Sequence, residues 1–448
     1  MLGLDVSTRR TEPVADAETP FRILIAGDFG GALERPVSID RDNFDDVVKR
    51  MGVTLELPVV GKLRFASLDD FHPDRIYARV DAFRALREAR ERLEDPERFQ
   101  ATADELQRAA APEPSELLAS GSLLDQIVEG GAQARPAADP LTEYVRKLAA
   151  PYLVPRPHPK QAEMLAQIDA ATTGMMRAIL HRPEFQALEA AWRGLFFLIH
   201  NISTGVDLKV HILHLPKQKL AEDLLPSSDL RKTALYKILV KDLDVAGAQA
   251  WSIIGGNYTF AATEEDVELL GRIALLAARA LSPFLAAATP NPEAWLELPD
   301  VWRELQKIPE ARQVGLALPR FLLRLPYGEK TSSIESFPFE EMAGAPEHNE
   351  YLWGNPVFVC VRLLAEAFSL EGWSFRPGTM LDIDGIPIHV YREDGEPVTK
   401  PCAELLTTHA IARQLVDNGF MPLVSIKDTD RIHLAGFRGL NGDPITIG

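Results

Sequence analysis

The sequence predicts an α/β protein (α+β mixed), with mixed sheets flanked by helices. Short apolar runs of strand length recur along the chain, as in Leu208–Leu213, Trp251–Gly255 and Val314–Leu318. Between them lie longer stretches with apolar residues at helical spacing, such as Glu264–Ala280. Continuous apolar strands are typical of sheets that are covered on both faces, and their alternation with amphipathic helices indicates a largely parallel or mixed sheet.

The length and the net charge of the chain limit the number of domains and the kinds of molecule that it can bind. The chain has 448 residues, of which 46% are hydrophobic and 25% charged, and its net charge is −17. This length suggests two or three domains. Nucleic acids and anionic membrane surfaces attract clustered Lys and Arg, so this charge argues against both as main partners.

The sequence also bears on the compartment. Cys360 and Cys402 are its two cysteines, too few for a disulfide framework, which favours a reducing environment. There is no apolar run of about 18 residues, and the first residues lack the apolar core of a signal peptide. We therefore expect a cytoplasmic protein without membrane insertion.

The chain opens with a predicted buried strand, Phe21–Ala26, followed by the glycine-rich turn Gly27–Gly31. Such a turn can hold a phosphate, but no Gly-Lys-Ser/Thr follows and Pro36 interrupts any helix, so a flexible turn is favoured. After it we predict a short helix at Asn43–Met51 and a hairpin around Gly61, formed by Val53–Leu57 and Leu63–Phe65. A long helix is predicted to start at Asp69–Pro73 and to continue through Leu93.

Residues 108–160 are rich in proline and alanine and are predicted to be a linker. Within them, Ser122–Val128 is a short amphipathic island with Ser122 as a plausible N-cap. Two interpretations are equally open. The island can be a recognition helix that binds in a partner's groove, or a helix that packs on its own domain. Its apolar face comprises Leu123, Leu124, Ile127 and Val128.

Helices and strands alternate beyond residue 160. Pro183 opens a helix on which Glu189 and Arg193 form an i,i+4 pair. The remaining predicted helices are Lys217–Leu225, Leu230–Leu243, Asn355–Phe368 and Glu404–Asn418. The remaining predicted strands are Pro283–Ala287, Ile386–Arg392 and Met421–Ile426, with hairpin-type turns at Asp384-Gly385 and Asp394-Gly395.

The most distinctive stretch is Val314–Tyr327, VGLALPRFLLRLPY, followed by Tyr351–Asn355, YLWGN. It carries Arg320 and Arg324 without a His, Cys or Asp, so we interpret it as a packing and docking element. These arginines can grip a phosphate or carboxylate ligand, or pair with acidic residues of the same fold or of a neighbouring protomer. The acidity of the chain favours ion pairs.

The search for catalytic chemistry predicts no catalytic residue, no metal and no cofactor. His211 and His214 are three apart on a predicted strand, which places them on opposite faces. Asp382-Ile383-Asp384-Gly385 lacks the later ligands of a calcium loop. No nucleophile motif is present.

The first hundred residues resemble the small subunit of the type VI secretion contractile sheath, the TssB (VipA) family. Four segments carry the resemblance in the family's order, namely PFRILIAGDFGG (Pro20–Gly31), SIDRDNFDDV (Ser38–Val47), LRFASLDDFHPD (Leu63–Asp74) and LREARERLED (Leu86–Asp95).

Later segments resemble the large sheath subunit, the TssC (VipB) family. They are HRPEFQALEAAWRGL (His181–Leu195), ALYK (Ala234–Lys237), EDVELLGRIA (Glu265–Ala274), SPFLAAATP (Ser282–Pro290), the Val314–Tyr327 stretch, YLWGN and GFMPL (Gly419–Leu423). Two departures are Asn257, where the family usually has an acidic residue, and an expected shortening of the C-terminal arm. The resemblance implies a single-chain fusion divided into residues 1–107, 108–160 and 161–448.

The resemblance also implies a function and partners. The chain is expected to be a structural protomer that assembles around an inner tube and contracts, without enzyme activity. Implied partners are other copies or sheath subunits, an Hcp-like tube protein, baseplate components and a ClpV-type unfoldase. An accessory protein that does not polymerise is the alternative, and a phosphate-binding enzyme at Gly27–Gly31 is a remote one.

Three groups of site residues follow from the resemblance. The unfoldase handle comprises Leu123, Leu124, Asp125, Ile127 and Val128. The packing and docking group comprises Trp192, Arg193, Arg320, Arg324, Tyr327, Trp353 and Asn355. Candidate arms for strand exchange between protomers are Gly3, Leu4, Asp5, Val6 and Ser7, together with His433, Leu434, Ala435, Gly436 and Phe437.

Overall fold

A computed structural model of the chain describes residues 19–33, 35–58, 60–110, 160–241, 249–342 and 344–447. The predicted arm at Gly3–Ser7 and the predicted handle at Leu123–Val128 lie outside these residues. The described helices are α1 (Phe44–Met51), α2 (Pro73–Arg79), α3 (Asp81–Glu94), α4 (Phe99–Ala110), α5 (Gln161–Leu180), α6 (Pro183–Asn201), α7 (Lys217–Leu224), α8 (Ala234–Leu239), α9 (Glu264–Ala280), α10 (Asp300–Gln306), α11 (Val357–Glu371) and α12 (His409–Asp417).

The strands confirm the α/β prediction, because most of them form one mixed sheet with helices on its faces. The described strands are β1 (Phe21–Gly27), β2 (Val37–Ile39), β3 (Thr54–Leu57), β4 (Gly61–Arg64), β5 (Leu208–His214), β6 (Ile253–Phe260), β7 (Phe284–Ala288), β8 (Val314–Leu318), β9 (Phe321–Leu322), β10 (Trp353–Gly354), β11 (Asp382–Ile383), β12 (His389–Glu393), β13 (Glu396–Lys400), β14 (Phe420–Ser425) and β15 (Ile432–Leu434).

The main sheet has the strand order β11-β15-β14-β8-β7-β6-β1-β5-β2 in the described chain. The strands from β14 to β5 run parallel, and β2, β15 and β11 pair antiparallel at the two ends. Strand β1 therefore lies between two strands that follow it by about 180 residues or more along the chain. In register, Ile23 lies opposite Val210 on one side and Ile253 on the other.

Strand β1 is apolar and buried except at Arg22, because helices cover both of its faces. On one face, Leu24 joins a core with residues of α7, α8 and α9, including Leu220, Leu235 and Leu270. On the other face, Phe21 stacks on Phe368 of α11 with ring centroids 4.6 Å apart. The central strand is thus fixed by side chains from distant parts of the sequence.

Residues 19–77 and 176–447 form one compact unit, and residues 78–110 with 160–175 form another. The second unit has its own small core, built from Ala89, Leu93, Phe99, Ala103 and Ile168. Within this unit, the first residue of α5, Gln161, contacts the end of α3: its Nε2 donates to the backbone oxygen of Leu93 at 2.7 Å.

The long helix predicted from Asp69–Pro73 through Leu93 is wrong in one respect. It is divided into α2 and α3 at Val80, whose φ of −78° and ψ of 127° are extended. An extended residue cannot continue the i to i+4 hydrogen-bond series, so the first helix ends there.

The helix predicted for Leu230–Leu243 is also wrong in extent. A short 3-10 helix covers Leu230–Lys232, and α8 follows it. Between them, Thr233 is extended, and its side chain accepts a hydrogen bond from the Tyr236 backbone. A threonine N-cap thus starts a new helix inside the predicted one.

Strand β6 begins later and runs further than the predicted Trp251–Gly255. It covers Ile253–Phe260 and passes close to its neighbours, because a Cβ on Gly255 would lie 2.7 Å from Ile25 and one on Gly256 would lie 2.5 Å from Phe284. A larger residue at either position would force neighbouring side chains to shift, so glycine is favoured there.

Three further corrections concern the last eighty residues. The helix predicted for Glu404–Asn418 begins only at His409, where Thr408 caps α12. Strand β12 begins at His389 rather than Ile386. Asp384-Gly385 is not a hairpin turn, because β11 pairs with β15 instead of with the next strand.

Other predictions are confirmed. Val314–Leu318 and Glu264–Ala280 have the predicted boundaries. The turn Asp394-Gly395 joins β12 to β13, and both residues have positive φ, as the primed hairpin turns require. No helix of the described residues is long and apolar enough to cross a membrane.

Candidate functional site

A buried charge network surrounds Arg324. Its Nε donates to Glu189 Oε1 at 2.9 Å, and its Nη1 and Nη2 donate to the two carboxylate oxygens of Glu341 at 2.7 and 3.0 Å. Arg193 donates to the same Glu189 oxygen at 2.6 Å and to the Tyr327 hydroxyl at 3.0 Å. Two arginines thus neutralise two glutamates that are almost completely buried.

The network joins three parts of the chain that are distant in sequence. Glu189 and Arg193 lie one turn apart on α6, Arg324 follows strand β9, and Glu341 lies in the segment between β9 and β10. Tyr327 closes the arrangement, since its backbone nitrogen donates to Glu341 at 2.7 Å and the Arg324 guanidinium lies 4.3 Å from its ring centroid.

The charges in the network hold one another ionised. Burial alone would raise the pKa of Glu341, but attraction to Arg324 and hydrogen bonds from Arg324 and the Tyr327 backbone lower this pKa to about 2. Burial opposes the charge on Arg324, yet Glu189 and Glu341 raise its pKa well above the ordinary value. A buried pair of this kind is costly to break, because removal of one partner leaves an uncompensated charge.

Arg320 forms a second, more exposed ion pair. Its Nε and Nη2 donate to the carboxylate oxygens of Glu404 at 2.8 and 2.5 Å, and His348 Nε2 lies 2.8 Å from the same carboxylate. Burial raises the pKa of Glu404, but the hydrogen bond and charge of Arg320, followed by those of His348, lower it overall. Backbone bonds also join Arg320 and Glu404, so this pair aligns residues 320–322 with 402–404.

The other predicted packing residues are also fixed inside the chain. Trp192 is fully buried, and its Nε1 donates to the Phe29 carbonyl at 3.2 Å. Trp353 Nε1 donates to the His348 carbonyl at 3.0 Å. Asn355 Nδ2 donates to the Tyr258 carbonyl at 3.0 Å, and Asn355 Oδ1 accepts from the Val357 backbone at the start of α11.

The predicted C-terminal arm begins inside the sheet. His433 and Leu434 belong to β15, which pairs with β14 on one side and β11 on the other. Ala435 continues with a backbone bond to the Pro422 carbonyl at 2.9 Å, and Phe437 is buried. Gly436 has a φ of 146°. The backbone groups of 432–435 therefore already have partners within the chain.

The histidines and the glycine-rich turn have structural contacts. His211 packs edge-on against Trp251, whereas His214 Nδ1 accepts a hydrogen bond from the Phe29 backbone. The turn after β1 is closed by Asp28, which accepts from the Gly30 backbone, and β2 is the next element. Among the described residues, no group of three His, Cys, Asp or Glu side chains is placed to hold a metal ion.

Sequence reasoning missed the acidic partners of both arginines. Glu341 lies in an irregular segment. The sequence predicts Glu404 as the first residue of a helix, but that helix begins five residues later, at His409. Local periodicity contains no signal for either residue. The available signal was the pair of arginines in an apolar run, since a buried arginine requires a carboxylate partner somewhere in the fold.

Comparison with known proteins identifies the family. The VipB family model, described as the EvpB tail sheath N-terminal domain, matches residues 162–301 and 296–441. The VipA family model of the type VI secretion system matches residues 4–111.

A curated relative supports the same assignment. The type VI secretion system sheath protein TssC1 of Pseudomonas aeruginosa is 32% identical over 301 residues, which cover 62% of this chain and 60% of that protein. The chain thus spans about 60% of the length of this relative. Both predicted resemblances are confirmed. The chain belongs to the type VI secretion sheath family and carries a VipA-type and a VipB-type segment in one polypeptide.

Proposed function

We propose that this chain is a structural protomer of a type VI secretion contractile sheath, which assembles around an inner tube and contracts to drive that tube out. One observation carries the proposal. Strands β1 and β2 come from the segment matched to VipA, and they pair with β5 and β6 from the segment matched to VipB. Both sheath-type segments therefore contribute to one sheet, as a single-chain protomer requires.

The arrangement of Arg320 and Arg324 favours a mechanical role over a catalytic one. Arg324 is held between two carboxylates and Arg320 by one, so their charges already serve the fold. The family is structural, and we propose that this chain, like it, does its work through conformational change rather than through chemistry.

The partners proposed for the chain are further copies of itself or other sheath subunits, an Hcp-like tube protein and baseplate components, all in the cytoplasm. A ClpV-type unfoldase is proposed to bind the amphipathic run at Leu123, Leu124, Asp125, Ile127 and Val128. The division at residues 107 and 160 belongs to the same proposal, with 108–160 as the linker that carries this handle.

Strand addition is the proposed mode of assembly. The main sheet ends at β2 on one side and β11 on the other, and an edge strand offers unpaired backbone groups to another chain. We propose Gly3–Ser7 as the arm that adds to a neighbouring protomer. For 433–437, the proposal requires that contacts made by β15 within the chain rearrange on assembly.

Electron microscopy of the purified chain, with and without the inner-tube protein, tests the proposal. Tubules or rings that form with the full chain and disappear on deletion of Met1–Ser7 are the expected result. A shuffled sequence at the same seven positions serves as the control for chain length. Uniform small particles under all conditions would contradict a polymerising protomer and favour the accessory role.

A further inference from the structure

One corner of the main sheet carries basic side chains. Arg22 on β1 lies in register with Lys209 on β5, and His211 is two residues further along β5. Residues that are two apart, or directly paired across strands, project from the same face of a sheet. Arg22, Lys209 and His211 therefore share one face of the sheet, near its β2 edge. All three residues are partly exposed.

This basic corner has no acidic partner in the described chain. Arg22 donates to the Gln249 carbonyl, and its guanidinium lies 4.1 Å from the Trp251 ring centroid. No described carboxylate forms an ion pair with Arg22 or Lys209, and the buried Nδ1 of His211 has no hydrogen-bond partner. Burial, followed by the charges of Arg22 and Lys209, lowers the pKa of His211 to about 4.

A second, oppositely charged cluster lies at the end of an isolated hairpin. Strands β12 and β13 pair only with each other in the described chain. At the turn that joins the two strands, Glu393 lies directly opposite Glu396, and Asp394 occupies the turn itself. All three residues are exposed. Like charges directly opposite each other destabilise a strand pair.

The nearest cation on the hairpin does not neutralise this acidic tip. Arg392 donates to the Gly395 carbonyl at 2.8 Å, and no described ion pair involves Glu393, Asp394 or Glu396. The tip is therefore an exposed group of three carboxylates on a two-stranded ribbon. Such a ribbon is marginally stable by itself and gains from an external contact.

We propose that the acidic tip of one copy, Glu393, Asp394 and Glu396, docks on the basic corner of a second copy, where Arg22 and Lys209 supply the positive charge and the uncharged His211 lies beside them. Each partner supplies the charge that the other lacks. Because the two surfaces differ, the contact is head-to-tail, and such contacts generate rings or helical filaments. This inference rests on the proposed function, since it names the contact through which protomers would associate.

Net charge favours a contact of this kind in self-association. Two copies that each carry a charge of −17 repel each other at long range. A local contact of opposite charges offsets this repulsion and fixes the relative orientation of the copies. The same contact should weaken with added salt, because exposed charges are screened within about 10 Å at 0.1 M ionic strength.

A charge exchange tests the contact. In sedimentation velocity of the full chain, Lys209→Glu and Glu396→Lys should each weaken self-association by about tenfold, because each places like charges together. Combining the two substitutions in one chain should restore association to near the wild-type value. Lys427→Glu with Glu371→Lys, at two exposed positions outside both clusters, is the control with the same charge changes and should have no effect.

Crosslinking separates failure of the contact from failure of the proposed function. Lys209→Cys and Glu396→Cys chains, carrying different tags, should form a disulfide when mixed but not when oxidised separately, and Lys427→Cys in place of Lys209→Cys should not react. If tubules form, but the crosslink does not form and the charge exchange has no effect, the contact is overturned and the sheath role stays intact. The crosslink in small particles without tubules would support the contact and overturn the sheath role. Neither crosslink nor association would overturn the contact.

Discussion

Arg320 and Arg324, in the Val314–Tyr327 stretch, lie four residues apart and have different environments. The Arg324 side chain is 10% exposed and lies between two buried carboxylates on different segments. The Arg320 side chain is 38% exposed, pairs with one carboxylate and is accompanied by a half-exposed histidine. The first is part of the core, whereas the second borders an open cleft of about 590 Å³ that Asp28, Trp353 and Asn355 also line.

Residues that lie four positions apart in one stretch can thus have separate tasks. Arg324 stabilises the junction of α6 with the segments around β9 and β10, because its removal would leave buried charge unpaired. Arg320 aligns two backbone segments and keeps part of its guanidinium accessible. We therefore expect substitutions at 324 to act on folding, and those at 320 to act more weakly.

The largest effect is expected for Arg324→Ala. It leaves Glu341 buried without its cation and should lower the free energy of unfolding by about 3–5 kcal/mol. Urea denaturation of the full chain, followed by fluorescence, measures it, with Arg231→Ala as a control at an exposed arginine. A loss below about 1 kcal/mol would contradict the structural role given to Arg324.

Acid should weaken the same network. The pKa of Glu341 is about 2 in the folded chain and near 4.5 ordinarily, so its contribution is complete above pH 4.5 and is lost as the pH falls towards 2. The shift corresponds to about 3 kcal/mol.

Denaturation curves at several acidic pH values check this prediction. Glu341→Gln should be less stable than wild type at neutral pH and should show a smaller loss between pH 4.5 and 2. The same pH dependence in both proteins would show that another group controls acid stability.

A smaller effect is expected for Arg320→Ala. Water reaches this pair and His348 remains beside Glu404, so the free energy of unfolding should fall by about 1–2 kcal/mol. The double variant Arg320→Ala with Glu404→Gln should recover part of the loss, because it removes the unpaired carboxylate. If Arg320→Ala lowered the free energy of unfolding as much as Arg324→Ala does, the different roles given to the two arginines would be contradicted.

Trp353→Phe should have the smallest effect. It removes the hydrogen bond from Nε1 to the His348 carbonyl but retains an aromatic ring, so we expect a loss of about 1 kcal/mol or less. Thermal unfolding is sufficient for this measurement. Trp192→Phe, which removes the bond to Phe29 from a fully buried ring, should cost more.

Local elements were largely predictable from the sequence, and their partners were not. Val314–Leu318 and Glu264–Ala280 have clear apolar patterns and strong boundaries, and the structure reproduces them. The pattern of Phe21–Ala26 predicts a buried strand but contains nothing about its neighbours. The position of this strand, β1, between β5 and β6 depends on packing with residues far along the chain.

The same reason explains the missed site residues. Glu341 has no periodic context, and its role comes from arginines that folding brings to it. Glu404 fits a helical pattern, but its backbone and carboxylate bind Arg320 instead. Tertiary contacts override local preference at such positions.

One polypeptide supplies both sheath-type segments to a single sheet. Cleavage of the purified chain at a protease site inserted between Gly130 and Gly131, followed by size-exclusion chromatography, tests it most directly. If β1 lies between β5 and β6 of the same unit, the two fragments will elute together in native buffer and separate only in denaturant. Separate elution in native buffer, with the larger fragment still folded, would contradict the claim.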